Sequence, residues 1–297
     1  MKTLIRAALL LACNIQADAG LLPDEREAIE AELRAPITLL LKNRQHITGN
    51  PVSVSKDQIQ IASAQGAGEI VFTFNREEID TIEIPGERYK SQALEWIESH
   101  PSSARDLMDL LYRQRGPILP ILPAGESNFF ILYVELILHS PNPARAIGVS
   151  TRLRPQIDNP AALRALDDAI LESYHRLELF ENALPLAQSW IKERRPYGES
   201  ALGYYVLGSH YLRHAAFESA LDLALQPIVF ASPRPANKLA HCYALAVSAA
   251  LELREPEHAA LLFREMEARG FDWPANDSTL ESYLDKMNQY IADHEAD

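Results

Sequence analysis

The sequence contains little cysteine, few cations relative to anions, and no long apolar run beyond its first residues. Two cysteines in 297 residues are too few for a disulfide-stapled fold or a cysteine-based zinc site. Lys and Arg number 28 against 41 Asp and Glu, a formal net charge of −13. That balance argues against general nucleic-acid binding, because phosphate neutralisation needs clustered cations. No later stretch offers about 18 uninterrupted apolar residues, so no transmembrane helix is expected.

Motifs that carry chemistry are also missing. The sequence has no G-x-S-x-G elbow and no glycine-rich loop followed by Lys and Ser or Thr, which are typical of serine hydrolases and phosphate-binding proteins. His210 and His214 stand four residues apart on a predicted helix, but neither a following glutamate nor a third ligand completes a zinc site. We therefore predict no catalytic residues, no cofactor and no metal.

The first nineteen residues have the pattern of a bacterial signal peptide. Lys2 and Arg6 precede an apolar run that ends at Ala12, and Ala17-Asp18-Ala19 forms an A-x-A-like cleavage site. The run is too short to cross a bilayer of about 30 Å. We predict export to the periplasm as a soluble protein. Because Leu10 to Cys13 resembles a lipobox, lipidation of Cys13 and attachment to the outer membrane is the alternative, and a buried N-terminal helix is a third interpretation.

Composition and periodicity divide the remaining chain. With 47% hydrophobic and 23% charged residues, the chain is typical of a globular protein of about two domains. The pattern predicts an α+β, mainly α protein: a signal peptide at 1–19, an N-terminal helix at 20–35, a small β-barrel at 36–86, a helical linker with a candidate degenerate repeat at 87–160, and helical repeats with a C-terminal capping helix at 161–297.

The β segment alternates with a period near two. Five short runs of β-branched and apolar residues separated by polar turns favour a small closed barrel over an open sheet. The strand that ends in Ile47-Thr48-Gly49 and the closing run from Phe74 to Ile82 resemble SH3-like and Sm-like bacterial barrels. Sm proteins bind RNA, but here four cations stand against six carboxylates. We therefore interpret the barrel as an interaction or packing module.

The helical half repeats itself. Ala183, Ala220 and Ala259 occupy equivalent positions in successive predicted helix pairs, 37 and 39 residues apart. The spacing of Tyr204, Gly208 and their neighbours resembles the tetratricopeptide repeat (TPR), whose standard period is about 34 residues. The alternative is an irregular helical bundle whose spacings match by chance. The resemblance implies an α-α superhelical array with a concave surface for an extended peptide or a partner helix.

In the TPR family that surface is lined by the first helix of each pair. The resemblance implies the following groove residues here: Asp168, Glu172, His175 and Arg176 in the first repeat, Tyr205, Ser209, Leu212 and Arg213 in the second, and His241, Ser248 and Glu252 in the third. The mixture of both charges with an aromatic residue suits recognition of a protein or peptide better than catalysis.

The sequence therefore predicts an exported TPR-type scaffold that mediates protein–protein contacts in the bacterial cell envelope. Two alternatives stay open. One is a cell-envelope hydrolase with its site at the junction of barrel and helices, and the other is a purely structural assembly subunit. The partner and the oligomeric state are not specified by any motif.

Overall fold

A computed structural model describes residues 20–65, 68–123, 125–194, 200–230, 238–274, 277 and 279–294. The predicted signal segment, with Cys13, lies outside these residues. The chain is mainly helical with one five-stranded antiparallel sheet near its N-terminus, which confirms the α+β, mainly α prediction. Backbone contacts divide it into two compact units, unit 1 up to Asp167 and unit 2 from Asp168.

In the part of unit 1 that the structure describes, the sheet is combined with five α-helices and the first residues of a sixth. In chain order its elements are α1 (Pro23–Leu33), β1 (Ile37–Leu41), β2 (His46–Val54), β3 (Gln58–Gln65), β4 (Gly68–Asn75), a 3₁₀ turn (Arg76–Glu78), β5 (Ile79–Glu83), α2 (Glu87–Trp96), α3 (Pro101–Arg115), a 3₁₀ helix (Gly116–Ile121), α4 (Glu126–Leu138), α5 (Ala144–Leu153) and a 3₁₀ turn (Arg154–Gln156).

The sheet has the strand order β4-β3-β2-β1-β5. Strand β2 bends, so that its first half pairs with β1 and its second half with β3, with a register shift between Pro51 and Ser53. Gly49 lies where β2 stops pairing with β1 and begins to pair with β3. A Cβ atom there would stand 2.2 Å from the carbonyl oxygen of Ala62, so only glycine lets the two strands approach this closely.

The predicted closed barrel is wrong: no ladder joins β4 to β5 among the described residues. The buried face of the sheet is covered instead by the 3₁₀ helix Gly116–Ile121. Ile118 and Ile121 pack with Leu39 and Ile59 in one apolar cluster. Because another element covers this face, the sheet buries its apolar side without closing on itself.

Helix α3 occupies the centre of the helical part of unit 1. Leu107, Met108 and Leu111 are fully buried, and the ring of Tyr112 meets Phe130 of α4 edge-on at 5.7 Å. The side-chain amide of Gln114 donates to the carbonyl of Leu33, the last residue of α1, and to the carbonyl of Pro85, just before α2. The helix therefore ties the N-terminal helix, the end of the sheet and α4 together.

Unit 2 is built from helices. They are α6 (Pro160–Arg176), whose first residues belong to unit 1, then α7 (Phe180–Glu193), α8 (Leu202–Arg213), α9 (Phe217–Val229), α10 (Leu239–Glu252), α11 (Pro256–Ala268) and α12 (Glu281–His294). Ala183, Ala220 and Ala259 are completely buried in its core. Small side chains at these three equivalent positions let neighbouring helices pack closely.

Three helix-to-helix turns in unit 2 have the same backbone structure. Glu178, Ala215 and Arg254 each follow the end of a first helix with a positive φ of 56° to 63°. At each turn this residue donates to the carbonyl three residues back, and the next residue donates to the carbonyl five residues back. This is a left-handed C-cap, which satisfies helix-end carbonyls and reverses the chain. The pairs α6–α7, α8–α9 and α10–α11 are therefore repeated helical hairpins.

The left-handed turn predicts opposite effects of two substitutions at Ala215. Ala215→Gly should raise the free energy of unfolding of unit 2 by about 1 kcal/mol, because glycine adopts positive φ without the Cβ clash. Ala215→Val should lower it by at least about 1 kcal/mol, since a β-branched side chain is strained there. Urea denaturation of both variants checks this, and equal stabilities would contradict the left-handed conformation.

The close approach at Gly49 predicts that Gly49→Ala destabilises unit 1 by roughly 2 kcal/mol or more, because a backbone carbonyl has little room to move. Gly148→Ala is the matched control. Gly148 lies within α5 with nothing within 4 Å of an added Cβ, so its replacement should stabilise the helix by up to about 1 kcal/mol. Thermal unfolding should show a lower midpoint temperature than the wild type for Gly49→Ala and an equal or higher one for Gly148→Ala.

Candidate functional site

Three aromatic rings from the first helices of the hairpins meet in unit 2. Tyr205 on α8 lies between His175 on α6 and His241 on α10, with ring centroids 5.0 Å away on each side and edge-to-face orientation. Edge-to-face packing places the positive edge of one ring against the negative face of another. The three hairpins are thus joined by one aromatic row, which forms the centre of the site.

A buried ion pair lies beside this row. The Lys238 ammonium donates to Glu172 Oε1 at 2.7 Å and lies 6.0 Å from the centroid of the Tyr205 ring. Lys238 precedes α10 with a positive φ of 66°, a conformation that costs a non-glycine residue about 1–2 kcal/mol. We call Glu172, His175, Tyr205, Lys238 and His241 the Tyr205 cluster.

The chain's own C-terminal segment contacts this cluster. The Tyr205 hydroxyl donates to Asp277 Oδ2, and two nitrogens of Arg213 donate to the Thr279 hydroxyl at 3.0 and 2.7 Å. Arg213 also pairs with Glu178 at 2.6 Å. The segment just before α12 therefore lies against the first helix of the second hairpin.

Burial sets the protonation states in the cluster. Desolvation lowers the pKa of His175 to about 4, although Asp277 acts in the opposite direction. Burial likewise lowers the pKa of His241 to about 4, with Lys238 adding to the shift. Burial also raises the pKa of the Tyr205 phenol, and Asp277 raises it further. At pH 7 both imidazoles and the phenol are neutral, so Tyr205 keeps its proton and donates it to the Asp277 carboxylate.

One polar atom in the cluster has no partner. His175 is 8% exposed, and its Nδ1 is buried without a hydrogen bond in the described part of the chain. Buried polar atoms are nearly always satisfied. The Tyr205 cluster therefore has one hydrogen-bonding position that the chain itself does not fill.

The structure brings together five of the predicted groove residues: Glu172, His175, Tyr205, Arg213 and His241. Four of them belong to the Tyr205 cluster, and Arg213 contacts the C-terminal segment beside it. They come from three different hairpins.

The remaining predicted groove residues lie elsewhere. Asp168 accepts a hydrogen bond from Trp190 Nε1 at 2.7 Å and pairs with Arg194 at 2.5 Å, so it faces the second helix of its own hairpin. Arg176 is exposed. Glu252 accepts from Lys286 of α12 at 3.0 Å, which places it against the C-terminal helix.

Three predicted groove residues are interior. Leu212 belongs to the core of unit 2, and Ser209 and Ser248 are fully buried. The hydroxyl of Ser248 donates to the carbonyl of Ala244 within its own helix. None of the three presents its side chain to a partner.

Sequence reasoning missed Lys238, Asp277 and Thr279. Asp277 belongs to an acidic C-terminal run that composition alone assigns to a solvated helix face. Its side chain instead meets a phenol 72 residues away along the chain. No local sequence pattern predicts the contact between Asp277 and Tyr205, and none distinguishes Lys238 from an ordinary residue at the start of a helix.

Two other sequence features have structural explanations. The rings of His210 and His214 lie 4.1 Å apart, and His214 Nδ1 is 2.8 Å from the carbonyl of His210. No group of three His, Cys, Asp or Glu side chains in the described ranges is placed to hold a metal ion.

Cys242 is fully buried, and burial raises the pKa of its thiol, so it is packed as a small apolar residue.

Unit 1 contains a second buried polar cluster next to the 3₁₀ helix. Arg115, only 1% exposed, donates to Glu87 at 2.5 Å and to Glu126 at 3.3 Å, and Lys90 also contacts Glu126. Burial acts to raise the pKa of Glu87, but the Arg115 hydrogen bond and charge hold it below its ordinary value. Both carboxylates are paired with cations, which is the arrangement of a structural network rather than of a proton donor and its base.

Comparison of the chain with protein-family models, with curated proteins and with solved structures gave no match. Among the described residues no helix is both long and apolar enough to cross a membrane.

The depressed histidine pKa values predict that unit 2 loses stability in mild acid. An unfolded histidine binds a proton near pH 6.5, whereas His175 and His241 resist protonation until about pH 4. The unfolded state therefore binds more protons between these values, and the free energy of unfolding falls as the pH is lowered from 6.5 to 4, by on the order of 2–3 kcal/mol per histidine.

Urea denaturation of unit 2 at a series of pH values measures this slope. The double variant His175→Gln, His241→Gln should flatten it between pH 6.5 and 4. His258→Gln replaces an exposed histidine and should leave the slope as it is. A double variant with the wild-type slope would show that these two groups do not cause the acid sensitivity.

Proposed function

We propose that the protein is an exported bacterial scaffold whose second unit is a TPR-type array that binds protein partners. The observation that carries the proposal is the set of three hairpins with the same left-handed turn at Glu178, Ala215 and Arg254. Repeated hairpins of this kind stack into arrays whose first helices share one surface. Extended peptides and amphipathic helices are the ligands that such surfaces accept.

The chemistry of the first-helix surface supports binding rather than catalysis. It combines an aromatic residue, two neutral histidines and charges of both signs. Arg213, whose side chain is 28% exposed, lies at the edge of the Tyr205 cluster with its guanidinium 5.3 Å from the Phe180 ring. Arginine and tyrosine are the residue types most enriched at energetically important positions of protein interfaces.

The proposed location rests on residues 1–19 of the sequence. A basic start, a short apolar run and the site at Ala17-Asp18-Ala19 support removal of the segment and release into the periplasm. Lipidation of Cys13 is the alternative within the same proposal and would attach the scaffold to the outer membrane. In either case we propose that the scaffold works in the cell envelope, with the small sheet of unit 1 as a packing or interaction module.

Capture of partners from an envelope extract tests the proposal. The immobilised full chain is compared with Arg213→Gln, which removes the exposed charge of the surface, and with Lys192→Gln. Lys192 is exposed on the second helix of the first hairpin and gives a charge-matched control. We expect quantitative mass spectrometry to show at least one partner whose recovery falls about tenfold with Arg213→Gln, equivalent to about 1.4 kcal/mol.

The same partner should be recovered normally with Lys192→Gln. Circular dichroism and thermal unfolding of each variant establish that the fold is intact. If every captured protein is recovered equally by the wild type and both variants, the first-helix surface is not the binding surface and the proposed function is overturned.

A further inference from the structure

The C-terminal segment meets the first-helix surface in the manner of a bound peptide. Asp277 and Thr279 lie in the stretch between α11 and α12, and their side chains bond to Tyr205 and Arg213, which are 72 and 66 residues away in the sequence. The two side chains that donate these hydrogen bonds, Tyr205 and Arg213, both belong to α8, the central first helix. The contact is therefore made by the turn that leads into α12, in which the Asp277 carbonyl accepts from the amides of Leu280 and Glu281 and Asp277 Oδ1 accepts from the Thr279 amide. This turn lies on the surface that the proposed function assigns to partners.

The surface side of this contact consists of donors. The Tyr205 phenol is kept neutral by burial, and a guanidinium has no acceptor atom. The Lys238 ammonium, already paired with Glu172, adds a positive charge above the Tyr205 ring. In this chain the Asp277 carboxylate accepts the hydrogen bond of the buried phenol.

A hydrogen bond rather than an ion pair holds Asp277 in place. No described Lys or Arg lies within ion-pair distance of its carboxylate, whereas the cations of the surface are paired with Glu172 and Glu178. With these two pairs neutral, Asp277 contributes the unbalanced negative charge of the site. An equivalent carboxylate from another chain would accept the same hydrogen bond from the phenol.

The segment is tethered beside the site independently of its polar contacts. Leu280 directly follows Thr279 and is completely buried, and Met287 of α12 is also buried. These apolar residues keep Asp277 and Thr279 next to the surface, so the two polar side chains act at high effective concentration. The unpartnered Nδ1 of His175, buried in the same cluster, is a hydrogen-bonding position that the tethered segment leaves unused.

We propose that Asp277 and Thr279 form an internal ligand that occupies the partner-binding surface, and that the partner is an acidic segment which presents its own carboxylate to Tyr205 in place of Asp277. This inference rests on the proposed function and adds the chemistry of the partner and the way in which the surface is held closed. A partner competes with the tethered segment, and one that also reaches His175 Nδ1 gains a contact that Asp277 and Thr279 do not make.

Binding of a defined probe peptide tests the proposal. The probe is a fluorescent peptide with the sequence of residues 271–281, and a second probe carries Asp277→Asn. Fluorescence anisotropy compares the wild-type full chain with the double variant Asp277→Ala, Thr279→Val, which lacks the polar contacts of the internal ligand. Asp285→Ala removes an exposed carboxylate of α12 and serves as the matched control.

The double variant should bind the acidic probe at least about tenfold more tightly than the wild type or Asp285→Ala. It should also prefer the acidic probe to the Asp277→Asn probe by about fivefold or more. Adding Tyr205→Phe to the double variant should abolish that preference, since the phenol is the donor. Thermal unfolding of each variant verifies that the helical core persists. Equal probe affinity for all three proteins, or no preference for the carboxylate, overturns the proposal.

The two proposals fail in different ways. If partner capture depends on Arg213 but all variants bind the probe alike, the internal-ligand proposal is wrong and the scaffold function stands. The opposite result is that the probe binds as expected but the recovery of no captured protein falls with Arg213→Gln. In that case the internal-ligand contact of Asp277 and Thr279 is confirmed and the scaffold function is overturned.

Discussion

Close packing of the helical hairpins in unit 2 is the constraint on which its surface depends. Ala183, Ala220 and Ala259 are completely buried between helices, and at Gly208 an added Cβ would stand 2.4 Å from a Leu245 methyl carbon. Larger side chains at these positions would push the helices apart. At this separation the ring of Tyr205 lies 5.0 Å from the ring of His175 on one side and from that of His241 on the other.

Desolvation then gives the residues of that surface their chemical character. A histidine on an isolated helix titrates near neutrality, but between packed hairpins His175 and His241 stay neutral to about pH 4. The same burial makes the Tyr205 phenol a permanent donor and requires an acceptor for it. The contact with Asp277 follows from this requirement, so the position of the C-terminal segment depends on the packing of hairpins far from it in sequence.

Most helix positions could be predicted because apolar periodicity and turn residues are local signals. The helices predicted for 161–297 are present in the described residues of that range. Helix α9 runs to Val229 with Pro227 in its last turn. In unit 1, five strands were recognised from their alternation. The closed barrel was wrong, because alternation does not reveal that a distant 3₁₀ helix would cover the sheet.

By itself the sequence determined the α+β composition, the order of the elements, and the repeat spacing that places first helices side by side, since all of these follow from local pattern. The tertiary structure decided which of the predicted residues meet at the site and which other residues join them. Leu212 and Ser248 share the helical spacing of the predicted groove, but they point into the core. Lys238, Asp277 and Thr279 carry no local signal, and their roles arise from contacts between residues as much as 72 positions apart. Such contacts depend on how the hairpins pack, which periodicity does not encode.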